Sequence, residues 1–319
     1  MGARLREANI HTDRLIVRIP PVVPAKSSVG RLRRGLAPLA AAATATLLFA
    51  ETASANWIAP EHGGSPNADA IHSLYVILLV VGLIVFFLTE GLLLYTLWKF
   101  KASRGHEAKQ IHGNTKLEIG WTSGAAILVI ILAIVSFAKL GEIRNPPNSD
   151  AAGFKVQPIA EDPGTNQKLP PNKQGLHIKV TGYQYGWRYT YDDGDPTTRD
   201  PYTYRDMYAP TQTTVLLSIT SQDVIHSWWI PELGGKFDAV DGFRNWTWFK
   251  MPADKAGTTF RGQCAELCGR NHANMTASVK ALSPTDFAAW LAEKKLELAQ
   301  SAKDAAVQRA VVDAGEELK

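Results

Sequence analysis

The sequence predicts a two-helix transmembrane hairpin joined to an all-β domain of the Greek-key sandwich or barrel type. Three observations lead there. Residues 73–98 and 119–140 form two long apolar runs, at least five short β-rich runs follow residue 175, and a stretch rich in proline, glycine and asparagine separates the two regions. At 319 residues and 45% hydrophobic, the chain has room for one membrane unit and one modest domain, and a formal charge of +4 is too small to suggest a nucleic-acid partner. No phosphate-binding glycine loop and no Cys-x-x-Cys-His haem attachment motif occurs.

Residues 1–55 read as a signal peptide with an N-terminal extension. Arg31, Arg33 and Arg34 precede an alanine-rich apolar run, and Ala53-Ser54-Ala55 supplies the small residues of a cleavage site. Residues 56–72 form a short exported segment without lysine or arginine, whereas the loop 99–118 carries Lys99, Lys101, Arg104, Lys109 and Lys116. That asymmetry predicts a cytoplasmic loop and a bacterial inner-membrane protein with both mature ends in the periplasm. Glu90 lies within the first run, where a carboxylate faces protein rather than lipid. Glu118 opens the second run and reads first as an acid stabilising a helix N-terminus, with Trp121 as an interfacial anchor.

Residues 141–175 read as a linker. Residues 176–181, 214–220, 245–251, 258–263 and 276–282 are the predicted strands of the domain, 176–282. Ser283-Pro284-Thr285-Asp286 predicts a helix start, the helix running to about residue 299 ahead of an exposed or partly disordered tail to Lys319.

The chemistry concentrates in Cys264-Ala-Glu266-Leu-Cys268-Gly-Arg270-Asn-His272-Ala-Asn-Met275, which holds both cysteines of the chain. Two thiols, an imidazole and a thioether within twelve residues form a soft donor set that favours copper. A disulfide between Cys264 and Cys268, or a helical zinc site, is the alternative, but Gly262, Gly269 and Asn271 favour a tight loop. His226 lies in Val224-Ile225-His226-Ser227-Trp228, just past the predicted strand 214–220, and a single upstream histidine before a Cys/His/Met loop is the layout of cupredoxin copper sites.

These two segments together resemble subunit II of the cytochrome c oxidases, with its dinuclear CuA centre. The resemblance implies a cupredoxin-like domain. It also implies copper ligation by His226, Cys264, Cys268, His272, Met275 and the Glu266 carbonyl, with the Glu266 carboxylate on a magnesium ion shared with subunit I and Asp238 close to it. Glu118-Ile-Gly-Trp121-Thr122 is similar to the family's Glu-x-x-Trp-Thr signature, which implies a proton-pathway entrance at Glu118. Gln184-Tyr185-Gly186-Trp187 corresponds to the family's Gln-Trp-x-Trp, so Tyr185 or Trp187 would receive electrons, and Arg261 and Arg270 would lie on the exit side. Asp192, Asp193 and Asp195 would offer an acidic face to cytochrome c. The implied function is electron entry from cytochrome c toward haem in subunit I, where oxygen is reduced to water with proton translocation, among further oxidase subunits. A CuA subunit of a nitric or nitrous oxide reductase complex and a membrane copper chaperone of thioredoxin-like type are the other readings.

Overall fold

The computed structural model describes residues 58–105, 107, 110–159, 165–192 and 200–313. The predicted leader, Lys109, Asp193 and Asp195 lie outside them.

Helix α1, Pro66–Lys99, begins earlier than the apolar run alone indicates. Proline at the first helical position needs no amide donor, and Asp69 in the first turn suits the positive helix end. Helix α2, Thr115–Arg144, is capped by Asn114, whose side-chain oxygen accepts from the Leu117 amide, while Glu118 accepts from the Asn114 amide. Glu118 therefore closes a reciprocal N-terminal cap. At about 1.5 Å per residue the helices are about 51 and 45 Å long, more than the roughly 30 Å hydrocarbon core of a bilayer. Their leucine, isoleucine and phenylalanine side chains are exposed around much of both helices, the pattern of membrane spans rather than of a soluble bundle.

Eleven strands are described after the hairpin. Strands β1 (Gln157–Pro158), β2 (Gln174–Tyr183), β3 (Gly186–Tyr191), β4 (Tyr202–Tyr204), β6 (Val215–Ser221) and β9 (Asn245–Phe249) build one sheet in the order β4-β3-β2-β6-β9, with β1 paired to β2. The other sheet has the order β5-β11-β10-β7-β8, from β5 (Asp206–Pro210), β7 (His226–Trp229), β8 (Phe237–Ala239), β10 (Thr259–Cys264) and β11 (Thr276–Leu282). The β2–β6 and β5–β11 pairs are parallel, each joined by a long crossover, and the other ladders are antiparallel. Alternation in β2 turns Leu176, Ile178 and Val180 inward, where they meet Trp187, Tyr189 and Phe249 between the sheets. Each such side chain contributes about 1.5–3 kcal/mol when fully buried.

Two expectations are corrected and one is refined. The segment 141–175 is not a free linker: Thr214 Oγ1 donates to the Pro147 carbonyl at 2.6 Å, the Thr214 amide to Ser149 at 3.0 Å, and residues 157–158 form β1. His226 lies past the strand 214–220, as expected, but in a strand of its own. That strand, β6, stops at Ser221; the chain crosses to the opposite sheet, and His226 opens β7. The C-terminal helix α3, Pro284–Asp313, continues well past residue 299, because Lys294–Glu297 and Gln300–Asp304 pairs and an alanine-rich composition support it and nothing breaks it. Its start is capped as expected, the Asp286 amide donating to Ser283 Oγ and Ser283 Oγ to the Asp286 carboxylate.

The hairpin is fastened to the β domain at the outer end of α1. Asn67, 2% exposed, donates through Nδ2 to the Trp248 carbonyl at 2.8 Å, and Ser65 Oγ accepts from the Lys250 amide at 3.0 Å. Trp248 Nε1 in turn donates to the Ile143 carbonyl at the end of α2.

Candidate metal centre

Strand β10 ends on Cys264 because the chain must turn there. The loop after it returns through one 3-10 turn, His272–Asn274, into β11, and the Cys264 amide donates to the Met275 carbonyl at 2.8 Å, closing its neck. Gly262 is obligatory, since a Cβ there would occupy the position of the Trp229 carbonyl on β7. Gly269 adopts a φ of +128° beneath the Tyr185 hydroxyl and the Gln184 amide, a conformation that only glycine takes without strain.

Strand β7 lies beside β10, with Trp228 opposite Cys264, and this register brings His226 to the loop. Cys264 Sγ lies 3.9 Å from His226 Nδ1 and 3.9 Å from Cys268 Sγ. Cys268 Sγ lies 3.6 Å from His272 Nδ1 and 3.7 Å from Met275 Sδ. Cys264 Sγ is also 3.2 Å from the Glu266 carbonyl oxygen. Each sulfur-to-nitrogen and sulfur-to-sulfur gap is shorter than two metal–ligand bonds of about 2.0–2.3 Å placed end to end, so one ion can touch both atoms of a pair. The cysteines are free thiols, so the disulfide alternative is absent. His226, Cys264, Cys268 and Met275 are almost wholly buried, and His272 is half-buried. Burial, with the Cys264 thiol beside it, pushes the Cys268 thiol up to about 11. A donor set of two thiols, two imidazoles, a thioether and a carbonyl fits copper better than any hard ion.

A polar frame that local sequence patterns did not reveal holds this set. His226 Nε2, the nitrogen turned away from the thiols, meets Asp223 Oδ1 at 2.8 Å. Burial alone would raise the Asp223 carboxyl, but the hydrogen bond to His226 and the amides of Gln184 and Val224 outweigh it and hold it below the usual carboxylate range. Gln184 then reaches the other half of the centre, Nε2 donating to the Cys268 carbonyl at 2.6 Å. The Gln184–Tyr185 turn between β2 and β3 thus clamps His226 and Cys268 together. The only signals in sequence were an aspartate three residues before the histidine and a glutamine before the aromatic row.

Other predicted site residues are distributed differently. Trp187 is fully buried, its ring edge-on to His226 at 5.9 Å, and so presents no surface to a partner; Tyr185 is half-buried over the loop. Glu266, Arg261 and Arg270 are exposed. Asp238 is exposed on β8, opposite Ser227 of β7, one strand further from the loop than His226. Asp192 is no free acidic tip, because its carboxylate lies 3.4 Å from His177 and 3.8 Å from Lys179. Glu118 is exposed at the opposite end of α2 from the β domain. The all-β domain also lacks the central sheet flanked by helices that a thioredoxin-like chaperone needs.

The family described as cytochrome c oxidase subunit II, transmembrane domain, matches residues 55–139, and that described as its periplasmic domain matches residues 204–282. Cytochrome c oxidase subunit 2 of Cereibacter sphaeroides is 31% identical over 277 residues, covering 74% of this chain and 82% of the relative. The subunit 2 of Alkalihalophilus pseudofirmus is 32% identical over 228 residues, covering 71% of this chain but 59% of the relative, so the chain spans little more than half of that protein. The solved periplasmic domain of cytochrome oxidase subunit II from Bradyrhizobium japonicum is 31% identical, covering 39% of this chain and 95% of that one, with a TM-score of 0.35.

Proposed function

The chain belongs to the cytochrome c oxidase subunit II family, and from that premise we propose that it is the electron-entry subunit of a respiratory cytochrome c oxidase. The observation that carries this reading is the convergence of the His226, Cys264, Cys268, His272 and Met275 donor atoms on one another at 3.6–3.9 Å.

These residues, with the Glu266 carbonyl, would hold two copper ions. Bound there, copper would supply one-electron storage at a soft donor set. The protein's own residues serve that end. Asp223 fixes the ring of His226 with Nδ1 toward the thiols, and Gln184 fixes the backbone at Cys268. Trp187 and the buried Met275 keep water from the inner side of the centre. Electrons from cytochrome c would enter over the half-buried Tyr185 and the Trp187 edge that touches His226. They would leave through the exposed loop bearing Arg261, Glu266 and Arg270 toward haem in subunit I, where oxygen is reduced and protons are translocated. The Glu266 carboxylate, with Asp238 nearby, would serve a magnesium ion at that interface. Glu118, besides its cap, would stand at a proton entrance on the cytoplasmic side, and the β domain would face the periplasm of a bacterial inner membrane.

Copper content and electron paramagnetic resonance of the full chain in detergent test the reading. Two coppers per chain sharing one unpaired electron, with a multi-line hyperfine pattern lost in Cys264→Ser, is the expected result. One copper with a four-line signal, or none, would overturn it.

A further inference from the structure

We propose that the cavity at the C-terminal end of α2 binds the headgroup of an anionic phospholipid. The inference uses α2 as a membrane span and is independent of the copper centre.

A helix of about 45 Å outruns a hydrocarbon core of about 30 Å, so its last turns rise into the headgroup layer. The sequence marks that level. Phe137, 75% exposed, is the last large apolar residue before Lys139, Glu142 and Arg144 appear. A cavity of about 510 Å³ opens there, floored by Phe137 and Leu140 and rimmed by Arg144, Asn166, Gln167 and Lys168.

Among the described residues, the rim holds two cations and no carboxylate. Lys139 is neutralised by Glu142 at 2.7 Å, whereas Arg144 and Lys168 make no ion pair among the described residues. Arg144 is not loose, since its guanidinium lies over the Trp246 ring at 5.6 Å, which aims it and leaves its donors available. Gln167 Nε2 is buried without an acceptor, an arrangement that costs about 1–3 kcal/mol until one arrives. Two cations with amide donors call for an oxyanion rich in acceptors. The apolar floor decides which kind. It continues the lipid-facing surface of the span, so it suits acyl chains attached to a phosphodiester and gives nothing to a soluble anion. A neighbouring cavity of about 310 Å³ shares Arg144 and Asn166 and adds Arg244, extending the basic surface toward the β domain.

The test is native mass spectrometry of the full chain in mild detergent, titrated with phosphatidylglycerol and with phosphatidylcholine of the same acyl composition. Phosphatidylglycerol should be retained at least ~10-fold more tightly. At roughly fivefold for each basic residue, the Arg144→Gln/Lys168→Gln variant should lose that preference. Equal retention of the two lipids by the wild-type chain overturns the proposal without reference to any variant, as does an unchanged preference in the double variant. Competition by soluble glycerol phosphate at matched concentration would assign the cavity to a free anion. Retention by the lone chain but exclusion from the purified oxidase complex would assign it to a neighbouring subunit. Either result overturns the lipid assignment.

Discussion

Asp223 Oδ1 lies 2.8 Å from His226 Nε2, so the imidazole that faces Cys264 with one nitrogen is held by a carboxylate through the other. A histidine with both ring nitrogens committed cannot swing out of register, and its tautomer is set.

Asp223→Asn should therefore weaken copper retention by about 10–100-fold without unfolding the domain. Competition with a calibrated chelator measures this. An unchanged affinity would make the hydrogen bond merely structural.

Trp187 packs edge-on against His226 and is fully buried. Trp187→Ala should destabilise the β domain by about 3–5 kcal/mol. Trp187→Phe should cost far less, because the indole Nε1 has no hydrogen-bond partner to lose. Denaturation midpoints of the two variants check the ordering. Stopped-flow electron uptake from reduced cytochrome c by Trp187→Phe then isolates any role of the indole in transfer.

Asn67 ties three groups at the base of α1: its Nδ2 donates to the Trp248 carbonyl, and its Oδ1 accepts from Ser65 Oγ and the Ala68 amide. Asn67→Ala should cost about 1–3 kcal/mol by leaving buried partners unsatisfied. Limited proteolysis should then cut faster between residues 58 and 66, with the copper signal unchanged.

Asp206 joins the parallel β5–β11 pair, accepting from Ser278 at 2.6 Å and pairing with Lys280 at 2.9 Å. Burial works to raise its carboxyl, but the hydrogen bonds from Ser278 and Lys280 prevail and lower it. The hydrogen bond to Asp206 correspondingly raises Lys280. A depressed acid contributes stability above its unfolded value and loses it as pH falls through the folded one. A raised base contributes below its unfolded value and loses it as pH rises through the folded one. The domain should thus weaken at both extremes, and Asp206→Asn should flatten both arms of a plot of unfolding midpoint against pH.

Residues 301–310 are exposed along α3, whereas Phe287 is fully buried against Phe154, Tyr191 and Trp290. Truncation after Gln300 should leave the unfolding midpoint nearly unchanged, while Phe287→Ala should lower stability by about 3–5 kcal/mol.

The sequence alone determined the hairpin and most of the candidate metal-binding donor set. Two apolar runs long enough to cross a bilayer, and four donors within twelve residues, are local patterns whose spacing carries their meaning. The β-rich runs were legible for the same reason, alternation being a property of consecutive residues. The short strands Tyr202–Tyr204 and Phe237–Ala239 were not, because three residues hold too little period to read.

Only the tertiary structure decided how the parts meet. His226 reaches Cys264 across 38 residues because β7 pairs with β10 in the second sheet. Gln184 reaches Cys268 across 84 residues, and Asn67 reaches Trp248 across 181. Whether an aromatic residue stands at the surface or is buried against a candidate metal-binding histidine, as Trp187 is against His226, depends on which sheet packs over it. Such contacts arise from strand order and sheet packing, which side-chain spacing along the chain does not record.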